Sequence, residues 1–188
     1  MAATPEWHLE THGKWSLVGA AALPLTALAS TRVPELRPLV ALLAHQTEEW
    51  VWPGGFLSWI NRDVLGSDED EFPLDRKAGL VINVGFGWLL SLSVLAGPRA
   101  PAPQALLFIS HLGNAALHVG WAARHRRYDP GLVTGALALL PAGILGLRRL
   151  ARDPAVDRGA LRAGVVAGVV FAAGMAPFFK ARLRTRSK

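Results

Sequence analysis

Three side chains able to bind a metal or move a proton stand together in His45-Gln46-Thr47-Glu48-Glu49. They follow the apolar run Pro38-Leu39-Val40-Ala41-Leu42-Leu43-Ala44, where an ionisable group is expensive to bury. On a helix, positions i, i+3 and i+4 are neighbours, so His45, Glu48 and Glu49 fall on one face. A second polar set, His111-Leu-Gly-Asn114-Ala-Ala-Leu-His118, runs at i, i+3 and i+7 along one helical stripe. Asn83, within Val81-Ile-Asn-Val-Gly85, is the other strongly polar residue well inside an apolar segment.

Imidazole and carboxylate together suit iron, zinc or manganese. The chain has no cysteine, so disulfides, thiolate ligands and cysteine nucleophiles are excluded, and copper(I) or an iron–sulfur cluster is disfavoured. His45, Glu48, Glu49, His111 and His118 are therefore the expected ligands of one or two divalent transition-metal ions. Iron is preferred to zinc or manganese because carboxylates are plentiful and helical bundles hold two irons this way. Adjacent helical residues diverge by about 100°, so Glu48 and Glu49 should straddle the site, or one should bind metal while the other acts as base or outer partner. Glu49 is the expected bridging ligand or acid/base. Asn83 and Asn114 are expected to hydrogen-bond a substrate or the ligands.

The elements that must position these groups are apolar helices. Residues 15–31, 78–98, 100–123, 130–147 and 163–179 contain no Asp, Glu, Lys or Arg, and most approach the ~20 residues needed to cross a bilayer. Half of the chain, 51%, is hydrophobic and only 18% is charged, which fits an all-α, polytopic transmembrane bundle better than a soluble one. About six helices are expected, over 15–31, 35–52, 78–97, 103–123, 130–147 and 160–179, in a single integral-membrane domain with a basic tail at 181–188. Pro-Gly and Asp-Pro turns punctuate the boundaries. The second segment is the weakest, either a tilted or a re-entrant helix. The first reads as a retained helix rather than a removed signal peptide, because a mixed-charge leader precedes it and no small-residue cleavage site follows.

With six crossings, both termini share one side with the 52–77 and 124–129 loops. That side carries more Lys and Arg than the other, which places the termini in the cytoplasm by the positive-inside rule. His45, Glu48, Glu49, Asn83 and His118 then lie near the termini side, with His111 about 10 Å deeper at 1.5 Å per residue. All of them occupy one half of the membrane. The basic residues sit in short loops and the tail, a distribution suited to anionic lipid headgroups rather than nucleic acid. His8, His12 and His125 read as loop residues, and Asp68-Glu-Asp-Glu71 as a solvated loop without calcium spacing.

His45-x-x-Glu48-Glu49, with the aromatic and Pro-Gly residues behind it, resembles the signature of the bacterial membrane-protein family known for its HXXEE motif. Asn114-x-x-x-His118, then Arg127-Tyr-Asp-Pro-Gly-Leu-Val-Thr134 and Pro141, is similar to that family's later histidine helix and Tyr-x-Pro-Gly turn. The resemblance spans roughly residues 35–145. It implies a polytopic protein of a bacterial inner membrane whose functional centre includes His45, Glu48, Glu49, Asn114 and His118; His111 and Asn83 rest on spacing and depth alone.

The leading expectation is an integral-membrane metalloenzyme acting on a hydrophobic or amphipathic small molecule, by iron-dependent oxidation in preference to zinc-dependent hydrolysis. A proton- or cation-coupled transporter using the same cluster as a relay is the alternative. A scaffold whose polar residues join helices is the third.

Overall fold

The computed structural model describes residues 14–186, which leaves His8, His12 and the end of the basic tail outside the described residues. Every regular element in that span is helical. In chain order they are α1 (Lys14–Ser30), α2 (Arg37–Trp50), α3 (residues 56–65), α4 (Arg76–Arg99), α5 (Pro101–His125), α6 (Leu132–Arg152) and α7 (Arg158–Arg186). The fold is all-α, as the apolar, charge-free segments require.

Among the described residues, three helices, α4, α6 and α7, are long and apolar enough to cross a membrane. Only 22%, 17% and 11% of their most apolar stretches is buried against the rest of the protein. Their outer faces carry Val81, Leu89, Leu137, Leu145, Val166 and Val170, all exposed. Three of the six segments expected to cross meet this measure of length and apolarity, and the others are shorter or more polar. α2 has 14 residues, about 21 Å at 1.5 Å per residue and shorter than a hydrocarbon layer of about 30 Å, yet it joins the Glu35 end of the bundle to the end that holds Trp50 and Trp59. α5 has the length but turns Gln104, His111 and His118 into the interior.

α5 is the central helix, with α6 and α7 packed on it. Small residues permit the approach. A methyl group added at Gly168 of α7 would stand 2.6 Å from Ile109 Cβ, and one at Gly113 of α5 would stand 2.7 Å from Ala172 Cβ. Such small-residue contacts replace the hydrophobic drive that is missing between helices in lipid. At the end of the bundle opposite the termini side, Arg149 of α6 pairs with Glu35 just before α2 at 3.1 Å.

One element was not expected. Residues 56–65 form α3 within the segment read as a loop. Trp59, Ile60 and Leu65 bury against Leu74 and Phe179 at the termini end of the bundle. Asn61 fastens the chain that follows: its side-chain amide donates to the carbonyls of Asp70 and Leu74 at 2.8 Å each, and its Oδ1 accepts from Leu74 N–H at 2.9 Å. The acidic run is held across the outside of α3, with Asp70 accepting from Ser58 at 2.8 Å and pairing with Arg62. The Arg62 hydrogen bond holds the Asp70 carboxyl below the usual carboxylate range. His125 is not a loop residue: it closes α5 and stacks on Trp121, with ring centroids 4.6 Å apart.

Candidate metal centre

His45, Glu48 and Glu49 occupy the last two turns of α2, and all three are buried. The ~100° divergence of adjacent helical residues sends the two glutamates to different neighbours. Glu48 points to the start of α6. Its carboxylate accepts from Thr134 N–H at 2.7 Å, Val133 N–H at 3.1 Å, the Tyr128 hydroxyl at 2.9 Å and the Thr134 hydroxyl. The first backbone N–H groups of a helix have no partner within it, so this carboxylate caps α6 from another helix. Partial burial and the Glu48 carboxylate push the Tyr128 phenol above its ordinary value, which keeps it a donor.

Glu49 points instead between two imidazoles. Its Oε1 lies 3.2 Å from His45 Nε2 and 3.3 Å from His118 Nε2. All three atoms are buried, and none has a hydrogen bond of proper geometry. The three groups lie within 4.8 Å of one another. Ligands at tetrahedral angles, with bonds of about 2.05 Å to a common ion, stand about 3.3 Å apart. The two nitrogen–oxygen separations have that length.

The remaining ring nitrogens are fixed from outside. Thr134 spends its only hydroxyl proton on Glu48, so its Oγ1 must accept from His45 Nδ1–H at 3.0 Å. In the neutral ring, the lone pair then sits on Nε2, facing Glu49 and His118. His118 Nδ1 is hydrogen-bonded to Asp129 Oδ1, and both residues are fully buried. A carboxylate or hydroxyl behind each imidazole sets tautomer and ring orientation, as it does for metal-bound histidines. Trp59 of α3 stacks on His118, with ring centroids 4.8 Å apart and 20° between planes. The turn between α5 and α6 closes against both rings at Gly131, whose φ of +118° disfavours side chains. A Cβ there would lie 2.6 Å from His118 Cε1 and 2.8 Å from His45 Cε1.

The structure thus brings together His45, Glu49 and His118, and places Glu48 and His111 outside that triad. His111 lines a neighbouring cavity of about 240 Å³ between α2, α3, α4, α5 and α7, together with Glu49, Asn83 and Asn114. Both ring nitrogens of His111 are buried without a hydrogen-bond partner. Asn83 lies where α4 opens into wider, i→i+5-bonded turns over Val81–Trp88, a feature frequent at functional sites. It accepts from Gln46 at 2.9 Å and donates to the Gly79 carbonyl at 2.9 Å, while Gln46 in turn accepts from Trp88 at 2.8 Å. Asn83 therefore joins α4 to α2 as well as facing the cavity.

Residue type alone does not mark Tyr128, Asp129 and Thr134 as partners of this centre. The available signal was the block Arg127–Thr134 itself, which follows the histidine helix and carries a carboxylate and two hydroxyls in eight residues. No curated protein and no solved structure matches this chain. Residues 38–145, more than half of the chain and containing every member of the triad and its outer partners, match the family described as "Protein of unknown function with HXXEE motif", and the chain belongs to that family.

Proposed function

We propose that this is an integral-membrane metalloprotein that holds one divalent transition-metal ion through His45 Nε2, His118 Nε2 and Glu49, and acts as an enzyme on a hydrophobic or amphipathic molecule. The observation that carries the reading is the triad: two imidazole nitrogens and a carboxylate oxygen at ligand-to-ligand spacing, each imidazole held by a hydrogen bond on its far nitrogen. An unpaired buried carboxylate is costly, and a cation between these groups offsets that cost.

The set favours a single ion. A dinuclear site needs further bridging carboxylates, and Glu48 is engaged by four donors at the start of α6. With one carboxylate remaining, the preference moves from iron to zinc, since two histidines and a glutamate are a familiar zinc set with a fourth position free for water or substrate. An iron(II) ion in a two-histidine, one-carboxylate site is the second choice. Such an ion would supply Lewis acidity and water activation near neutral pH. The protein's own contribution is orientation: Asp129 and Thr134 hold the imidazoles, Gly131 and Trp59 keep bulk water from their faces, and Glu49 borders both triad and cavity. His111 and Asn114 offer polar contacts to a bound molecule.

The test is metal content, by plasma mass spectrometry, of detergent-purified wild type beside Glu49→Gln and His118→Ala. About one equivalent of zinc or iron in the wild type, lost from both folded variants, is expected. No bound metal after reconstitution with either ion would overturn the reading. The carboxylate between two imidazoles, bordering a cavity, would then be a proton relay, and proton-coupled flux in liposomes the next measurement.

A further inference from the structure

The cavity beside the triad is polar along α2 and α5 and at Asn83 of α4, and mostly apolar elsewhere. Glu49, His111 and Asn114 stand on the α2 and α5 side, while Ile60, Val64 and Leu65 of α3 and Phe171, Met175 and Phe179 of α7 face it from elsewhere. Among the described residues, no lysine or arginine lines it. His111 is only 3% exposed, and both of its ring nitrogens lack partners. Leaving a buried polar group unpaired is costly, and a ligand that satisfies it recovers that cost.

We infer that this cavity binds a straight-chain amphiphile with an uncharged polar head, an alcohol or a carbonyl compound, its head at His111 and Asn114 and its chain among α3 and α7. This rests on the reading of the site given above, and it narrows the substrate class. An anionic head finds no lysine or arginine among the described lining residues, and the charge of the proposed ion would already be partly neutralised by Glu49. A cationic head has only Glu49 for a counter-charge, and both neighbouring imidazoles already approach that carboxylate. Imidazole and primary amide each offer a donor and an acceptor, which complement a hydroxyl or carbonyl. A head held there lies beside Glu49, and hence next to the triad.

The test uses the full-length protein in lipid nanodiscs and a dodecanol carrying a terminal diazirine. Adducts are mapped by peptide mass spectrometry, with dodecanol, dodecanoate, dodecyl phosphate and dodecyltrimethylammonium as competitors. Saturable labelling within residues 60–65 and 171–179, competed best by dodecanol, is expected. His111→Leu and Asn114→Leu should each weaken apparent affinity about three- to tenfold, the worth of one neutral hydrogen bond. Met175→Trp, which adds bulk to the cavity from the α7 side, should abolish saturable labelling. The absence of saturable labelling in the wild type would overturn the inference. So would better competition by any charged amphiphile, or wild-type affinity in both polar-wall variants. Labelling is repeated in His45→Ala, which is expected to lack metal. Labelling retained in a wild type that binds no metal would leave the cavity assignment standing and remove the metal reading; metal without labelling would do the reverse.

Discussion

Because successive helical residues diverge, substitutions at Glu48 and Glu49 separate two effects that the pentapeptide alone runs together. Glu49→Gln removes the carboxylate of the proposed ligand triad and should abolish metal binding. Glu48→Gln keeps the shape but weakens the cap on α6 and the hold on the Thr134 hydroxyl, which fixes His45. We expect Glu48→Gln to retain about one equivalent of metal, with affinity reduced by about 10- to 100-fold, the usual cost of losing an outer partner. Competition against a chromogenic chelator measures this, and loss of all metal from a folded Glu48→Gln protein would instead make Glu48 a ligand. Asp129→Asn bears on the other imidazole. The amide can present a donor where His118 Nδ1–H needs an acceptor, so the same assay should report a fall of about 10- to 100-fold. Unchanged affinity would show that Asp129 does not orient His118. The residue types in this centre were legible because imidazoles and carboxylates are rare in apolar helices. The outer partners were not, because an Asp before Pro-Gly reads equally well as a turn former. Only the packing of the α5–α6 turn against two rings reveals that Asp129 is fully buried.

Among the elements, the long helices were visible in the sequence for one physical reason: charge-free stretches of helical length have little else to become. α3 escaped notice because its signals are short and mixed. Pro53, Gly54 and Gly55 precede it, Arg62 and Asp63 lie within it, and its ten residues are too few to be stable without tertiary contacts. It closes the termini end of the bundle over the candidate metal centre, with Trp59 on His118. Asn61 ties the following chain in place through two donated hydrogen bonds and one accepted. Asn61→Ala removes all three and strands buried backbone groups, a loss of about 2–4 kcal/mol. Thermal unfolding should show a lower midpoint. If α3 and its following loop act as the cover of the centre, chelators should also strip metal faster from the variant than from wild type. An unchanged midpoint and stripping rate would mean that the 66–75 segment is held by other contacts.

For the whole molecule, polar groups gather inside while Val81, Leu137, Leu145, Val166 and Val170 face outward, a distribution that water opposes and lipid favours. The order of the helices sorts the connections into two ends. Residues 66–75 and 126–131 lie at the end nearest the metal centre, and residues 31–36 and 153–157 at the opposite end, where Glu35 meets Arg149. A chain without cysteine permits this to be read directly, since each introduced thiol reports alone. Asp68, Arg127, Thr31 and Ala155 are exposed positions, two at each end. We expect Asp68→Cys and Arg127→Cys to react with a membrane-impermeant maleimide from one side only, and Thr31→Cys and Ala155→Cys from the other. The excess of Lys and Arg around the first pair predicts a cytoplasmic location for it, so those thiols should be protected in intact cells and labelled in inverted vesicles. Labelling of all four from one side would mean that the helices between them do not cross, and the outward apolar faces would then have to be covered by other protein. The reverse sidedness would keep the bundle in the membrane and move the metal centre to the outer half. That result would also decide from which side metal and water reach His45, Glu49 and His118.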